Sequence, residues 1–275
     1  MSQAPRLALV GAHPDDCDVK AGGIAALAVE AGHEVRIRST TNGDAGHHEL
    51  SGVELADRRR REAEAAADVV GAEFALSDTG DGRLEASLAE RERLIRRLRE
   101  FDPDLIVTHR PNDYHPDHRA TAELVRDAAY LLTVPNVCPE TPHVEEMPIV
   151  GYFQDEFTEP SPFEPDVVVD VGPVIDEKVA MLDCHESQMY EWLPYNTGTL
   201  DEVPDDPERR RAWLREGRLA FFDTLQTNVA DDYPDALAER YGAERAAGIE
   251  HAEAIQISEY GAPLTEAAEE RLFPF

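Results

Sequence analysis

The 275-residue chain sets 57 acidic against 26 basic side chains, a formal net charge of −31, which makes nucleic acid and anionic membrane surfaces poor partners. An apolar fraction of 42% is enough for an ordinary packed core, so disorder is not the default. No run of eighteen apolar residues occurs, so no membrane-spanning helix is expected.

The acids are spread along the whole chain, and only Lys20 and Lys178 among the bases are lysine. Self-repulsion at this charge weakens a compact state in dilute salt. At molar salt the Debye length falls to about 3 Å and the penalty largely vanishes. The composition therefore predicts a salt-accumulating host, with an unusually acidic mesophilic protein as the alternative. Met1 to Arg6 lead straight into Leu7-Ala8-Leu9-Val10 without a basic region and long apolar stretch, so no signal peptide is expected. Cys17, Cys138 and Cys184 are odd in number and lack CxxC spacing, which favours small buried hydrophobes in a reducing cytoplasm over a disulfide framework.

In chain order, Leu7–Gly11 reads as a buried strand and Gly22–Ala31 as the helix after it, with a second strand at Glu34–Thr40. Ser51 and Glu54 form a capping box for a helix to Val70, stopped by Gly71. A short strand at Ala72–Leu76 precedes a second capping box, Ser87 and Glu90, whose helix draws an apolar face from Leu88, Ile95 and Leu98. Asp104–His109 is a strongly apolar strand and Pro116–Leu132 a helix. Prolines make Thr133–Pro165 a loop region around one strand, Ile149–Phe153. A strand at Asp166–Val171 precedes a helix that starts on Pro173 and runs to His185. A helix near Pro207–Leu225, carrying Trp213, Phe221 and Phe222, and a strand at Ala252–Ser258 close the pattern. Strands alternating with helices predict one α/β domain over residues 1–275, a Rossmann-like three-layer α/β/α sandwich with a mainly parallel sheet. A helical and loop elaboration at about 190–250 completes it.

Two segments share a layout: Leu7 to Val10 leading into His13-Pro14-Asp15-Asp16, and Leu105 to Thr108 leading into His115-Pro116-Asp117-His118. Each reads as a strand, then His-Pro-Asp-x, then a helix with proline at its first position. Both lie beyond the carboxyl end of a strand, where open parallel sheets bind ligands. Together they supply His13, Asp15, Asp16, His115 and His118. Two histidines and a carboxylate are a common catalytic zinc set that leaves a place for water, whose pKa zinc lowers to about 7. A further carboxylate suits a general base and a further histidine an oxyanion donor or acid. The plainer reading of one such segment is a helix cap; two in the same register shift the balance toward a metal site without naming a substrate.

The residues also resemble the LmbE-like (PIG-L) deacetylase family, from about Arg6 to Gln188 and again near Ala252–Gly261. The likeness rests on His13-Pro14-Asp15-Asp16-Cys17-Asp18 with Gly22-Gly23, on Thr41-Asn42-Gly43-Asp44, on Arg59 to Glu62 with Gly71, on Pro103-Asp104-Leu105 leading to His115 through His118, and on Lys178 with His185-Glu186-Ser187-Gln188. Asp18 stands where the family usually has glutamate. The resemblance implies His13, Asp16 and His118 as zinc ligands, Asp15 as general base, and His115 as oxyanion stabiliser or acid. Arg59 and Asp81 fall near positions that contact the sugar in relatives; for Arg59 the competing reading is a solvated helix face within Arg58–Arg61. Lys178, His185 and Gln188 are expected to shape or pack the site, and Cys17 to pack. Trp192, Tyr195 and Trp213 are candidates for lining a sugar site, or for core or subunit contact.

The implied activity is a cytoplasmic zinc-dependent hydrolase that removes the N-acetyl group from an amino sugar or glycoside. The alternative is a metal-dependent amidase or esterase acting on a non-sugar molecule. Relatives act on thiol-cofactor precursors, chitobiose-like sugars, lipid-linked inositol sugars and antibiotics. The expected partner is a small N-acetylated sugar, with no nucleic acid and no membrane insertion. Family resemblance also suggests a homo-oligomer, trimeric or hexameric.

Overall fold

The computed structural model describes residues 4–216 and 229–275. Period-two alternation builds the central strand β1 (Arg6–Gly11): Leu7 and Leu9 pack into one apolar layer, Ala8 and Val10 into the other. β2 (Glu34–Ser39), β3 (Glu73–Leu76), β4 (Leu105–Thr108) and β5 (Ile149–Phe153) join it in parallel, in the order β3-β2-β1-β4-β5. β7 (Ala252–Ile257) then pairs antiparallel with β5 on one side and with β6 (Val167–Asp170) on the other, completing a seven-stranded, mainly parallel sheet.

Helices cover both faces, so the three-layer expectation holds. α1 (Asp16–Glu30), α2 (Gly52–Val70) and α5 (Ile175–Cys184) bury Ile24, Ala66 and Met181 against the Leu7 and Leu9 side. α3 (Leu88–Phe101) and α4 (Pro116–Leu131) bury Leu94, Ile95, Leu98 and Leu124 against the Ala8 and Val10 side. Each of these fully buried leucines and isoleucines is stabilised by about 1.5–3 kcal/mol relative to an exposed position. The chain order reverses between β1 and β4, which opens a crevice at their carboxyl ends.

Several local expectations are corrected. α1 begins at Asp16 rather than Gly22, because the Asp16 carboxylate accepts the Ala12 and His13 N–H groups at the helix entrance. The helix is kinked at Ala21 (φ −147°). Past the kink, Glu253 of β7 accepts from the N–H groups of Gly23 (2.9 Å) and Ile24 (2.7 Å), while Lys178 neutralises it at 2.7 Å. Gly23 lies so close to Val171 that an added Cβ would sit 2.6 Å from it. Pro173 lies in a 3₁₀ turn, Gly172–Val174, ahead of α5. Ser87 caps α3 by accepting from Glu90 N–H, but Ser51 makes no side-chain cap, and Leu88 is 61% exposed while Leu94 and Phe101 complete the buried face.

The helix from Pro207 ends at Arg215, and Phe221 and Phe222 lie outside the described residues. Trp213 packs in a small core with Val19, Leu182 and Met189, so it is a core residue. Cys17 and Cys138 are buried and all three cysteines are free. Among the described residues no helix is long and apolar enough to cross a membrane.

Candidate metal centre and active site

The two motifs meet at the β1/β4 crevice. His13 Nδ1 lies 3.2 Å from His118 Nε2, and the two Asp16 oxygens divide between them, Oδ2 at 3.5 Å from His13 Nδ1 and Oδ1 at 3.5 Å from His118 Nε2. Donors held about 2.0–2.2 Å from a tetrahedral metal stand about 3.3–3.6 Å apart, and these pairwise spacings fall close to that range. The remaining ring nitrogens face carboxylates. His118 Nδ1 is 3.0 Å from Asp113, and His13 Nε2 is 3.3 Å from Asp81 and 3.5 Å from Asp117. These carboxylates lie close enough to favour protons on the far nitrogens, though neither nitrogen makes a well-aligned hydrogen bond among the described residues.

The electrostatics agree with that donor set. Burial alone would lower the His13 pKa, but Asp16, Asp117 and Asp81 outweigh it and raise it well above the usual value. His118 is raised in the same way by Asp16 and Asp113 against burial. Burial would raise the Asp16 pKa, yet His118, His109 and His13 hold the carboxyl well below the ordinary range. A cluster that draws protons onto its histidines has a negative potential suited to a metal ion, which would displace those protons.

Asp15 and His115 stand beside this set. Asp15 takes a 2.5 Å hydrogen bond from Arg59 Nη2 on one oxygen. His115 is the N-cap of α4: its Nδ1 accepts the Asp117 N–H at 3.2 Å, so in the neutral ring the proton sits on Nε2. Burial, followed by the charges of His13 and His118, lowers the His115 pKa and favours that neutral form. His13, Asp15, Asp16, Arg59, Asp81 and His115 all line one cavity of about 430 Å³, together with Tyr114, Gln188 and Trp192. His118 does not line the cavity; it is 4% exposed and stacks on His109 at 3.9 Å.

The solvated-face reading of Arg59 is overturned, since the residue is 2% exposed. Besides Asp15 it reaches Gly43 O at 3.3 Å and Asp81 at 3.7 Å. Gly43 has φ +69°, and an added Cβ would lie 2.6 Å from the Arg59 guanidinium; both facts require glycine there. Asp81 lines the cavity, although its carboxylate oxygens come within reach of His13 and Arg59. Lys178 and His185 are structural partners, paired with Glu253 and with Asp18 at 2.5 Å, while Gln188 bonds Gly46 O at the cavity wall. A π-helical turn at Ser187–Trp192 carries Gln188 and Trp192 to that wall.

Sequence reading missed four residues. His109 reads as the end of a strand, but its Nε2 is 3.0 Å from Asp16. Asp113 and Asp117, unassigned beside obvious histidines, support His118 and His13. His48 stacks on Tyr195 at 4.3 Å on the rim, where Trp192 also stacks on Tyr195 at 5.9 Å. A carboxylate two residues before the His-Pro pair was the available signal for Asp113.

The PIG-L family model, described as GlcNAc-PI de-N-acetylase, matches residues 8–129, the stretch from β1 into α4 that holds both motifs. Over that stretch the chain is similar to this family. The chain is 28% identical over 200 residues to 4-oxalmesaconate hydratase of Pseudomonas putida, covering 70% of this chain and 77% of that one. It is also 28% identical over 200 residues to diacetylchitobiose deacetylase of Thermococcus kodakarensis, covering 66% and 72%. The solved N,N'-diacetylchitobiose deacetylase of Pyrococcus horikoshii shares the fold, with a TM-score of 0.68 at 24% identity over 94% of this chain and 85% of the other.

Proposed function

We propose that this chain is a zinc-dependent hydrolase that removes the acetyl group from an N-acetylated amino sugar. The observation that carries the reading is the convergence of His13, Asp16 and His118 donors at 3.2–3.5 Å, with Asp15 and His115 lining the same cavity as His13 and Asp16. His13, Asp16 and His118 would hold the metal; two imidazoles and one carboxylate suit zinc. When bound there, zinc supplies Lewis-acid polarisation and lowers the pKa of a water to about 7.

The protein's own groups do the rest. Arg59 engages one Asp15 oxygen and leaves the other to accept the proton of the attacking water. The neutral His115 ring presents Nε2–H to the amide oxygen as negative charge develops there. Asp15 returns the proton to the departing amine, and acetate is the second product. Arg59 therefore acts on Asp15, and Asp81 supports His13 at the cavity wall, where either also meets substrate.

The cavity favours a neutral substrate. Among the described residues lining it, Arg59 is the single arginine or lysine, and Asp15 and Asp81 already face it. Trp192 on the wall offers an apolar face of the kind that packs on a sugar ring. The Pseudomonas putida relative motivates a second reading, addition of water to a carboxylated alkene, but such a substrate asks for a cation this cavity has committed elsewhere. The acidic surface supports work at molar salt inside the cell.

The test is primary-amine release from N-acetylglucosamine and N,N'-diacetylchitobiose in molar potassium chloride with zinc, and hydration of 4-oxalmesaconate as comparator. Amine release abolished by a chelator supports deacetylation. Silence of the sugars with metal bound overturns it in favour of the hydratase, or of an amidase or esterase with another substrate.

A further inference from the structure

A second cavity, of about 720 Å³, opens between β2, the edge strand β3 and α3. Arg36, Arg38, Arg93 and Arg97 line it, together with Glu73, Asp78, Glu90 and Glu100. Three of them are matched. Arg36 lies 2.6 Å from Glu73, Arg93 2.6 Å from Glu90 and Arg97 3.0 Å from Glu100. Arg38 is different. It is 8% exposed, its Nη2 meets only the Ser77 hydroxyl at 3.2 Å, and its Nε is buried without a hydrogen-bond partner among the described residues.

Other buried arginines in this protein show what such a side chain requires. Arg99, 5% exposed on the same helix α3, places its guanidinium among six backbone carbonyls, from Leu131 to Thr141. Arg110, 5% exposed, holds the Asp155 carboxylate at 2.8 Å and two carbonyls. Arg59 has Asp15 and Gly43 O on its terminal nitrogens, although its Nε, like that of Arg38, is buried without a partner among the described residues. A buried guanidinium without acceptors is costly, and its planar fork fits an oxyanion. Burial, then the charges of Arg97 and Arg36, push the Arg38 pKa down to about 10 against the opposing charge of Glu100. The Ser77 hydroxyl accepts from Arg38, so its own proton is left to donate.

We propose that this cavity binds a phosphate group, with the Arg38 fork and the Ser77 hydroxyl as its inner donors and Arg93 and Arg97 at its mouth. The proposal is independent of the hydrolase reading, because no residue of the metal cluster lines this cavity. Inorganic phosphate is the probe, titrated calorimetrically into zinc-loaded protein freed of excess metal, at one fixed potassium chloride concentration. A saturable 1:1 isotherm is expected. Arg38→Gln weakens it at least tenfold while the thermal midpoint without phosphate stays level or rises, and Arg38→Lys falls between, keeping the charge and losing the fork. His118→Ala leaves the phosphate affinity unchanged. An isotherm that does not saturate, equal affinity in Arg38→Gln, or loss of binding in His118→Ala overturns the proposal, the last by assigning the ion to the metal centre.

Discussion

His13-Pro14-Asp15-Asp16 and His115-Pro116-Asp117-His118 follow neighbouring parallel strands, yet equivalent residues do different work. His13 turns its ring into the donor cluster, whereas His115 caps α4. Asp15 opens onto the cavity and meets Arg59, whereas Asp117 is fully buried and accepts from the N–H groups of Gly82 (2.6 Å) and Leu84 (3.1 Å). The fourth positions, Asp16 and His118, alone play matching parts. The cause is where each helix begins. α4 starts on Pro116, while α1 starts at Asp16, two motif positions later, with Pro14 outside it. A motif specifies residue types; the helix start decides which way they point.

The contrast predicts opposite outcomes for substitutions at matched positions. His118→Ala is expected to release the metal and abolish turnover. Asp15→Asn should lower kcat by about 10²–10⁴-fold with bound metal unchanged, as for a lost general base. Its counterpart Asp117→Asn should instead weaken metal binding by about 10–100-fold, the effect of removing a carboxylate behind a ligand histidine. Metal content by mass spectrometry, measured beside kcat, separates the two. Metal loss in Asp15→Asn would mean the roles are reversed. His115→Ala should retain metal and lose about 10²–10³-fold in kcat, as for an oxyanion donor.

A smaller effect sharpens the same comparison through His109, which has no equivalent after β1. Burial and the charge of His118 lower its pKa to about 4 in the folded protein, although Asp16 opposes the shift. The unfolded chain binds a proton near pH 6.5, so between about 6.5 and 4 the unfolded state holds more protons than the folded one. Stability therefore rises with pH through this window and is lost as pH falls through it. The full difference is of the order of 3 kcal/mol for metal-free protein. In urea titrations at fixed salt, His109→Gln should flatten this part of the stability profile relative to the parent. An unchanged slope would show that His109 is not the titrating group.

The residues visible in the sequence were those whose type is costly to place elsewhere. Paired histidines and aspartates after apolar strands marked the crevice, and strand–helix alternation marked the layers. His109, Asp113 and Asp117 were not visible, because their contribution comes from what the topology brings behind the proposed ligands: β4 lies beside β1, and the Gly80–Leu84 loop meets the start of α4. Arg59 illustrates the limit. Its neighbours in sequence suggest an exposed charged face, and only the approach of Gly43 and Asp15 shows that the helix is turned inward. Period-two and 3.6-residue patterns also could not show β7 entering between β5 and β6, since pairing partners leave no trace in a strand's own alternation.

The two capping boxes repeat this lesson at the smallest scale. Ser51 with Glu54 and Ser87 with Glu90 have the same spacing. Ser87 accepts from the Glu90 N–H at 3.3 Å and caps α3. Ser51 is extended, and its neighbour Gly52, at φ +65°, donates its N–H to Asp44 O at 2.8 Å, so the loop carrying Gly43 governs how α2 begins. That loop also holds Arg59, which explains why α2 enters from it rather than from its own cap. Ser87→Ala should therefore cost about 1 kcal/mol in denaturant unfolding, within the range for a lost cap, while Ser51→Ala stays within about 0.5 kcal/mol of the parent. Equal losses would show that Ser51 caps α2 in solution and that the loop does not set the helix start.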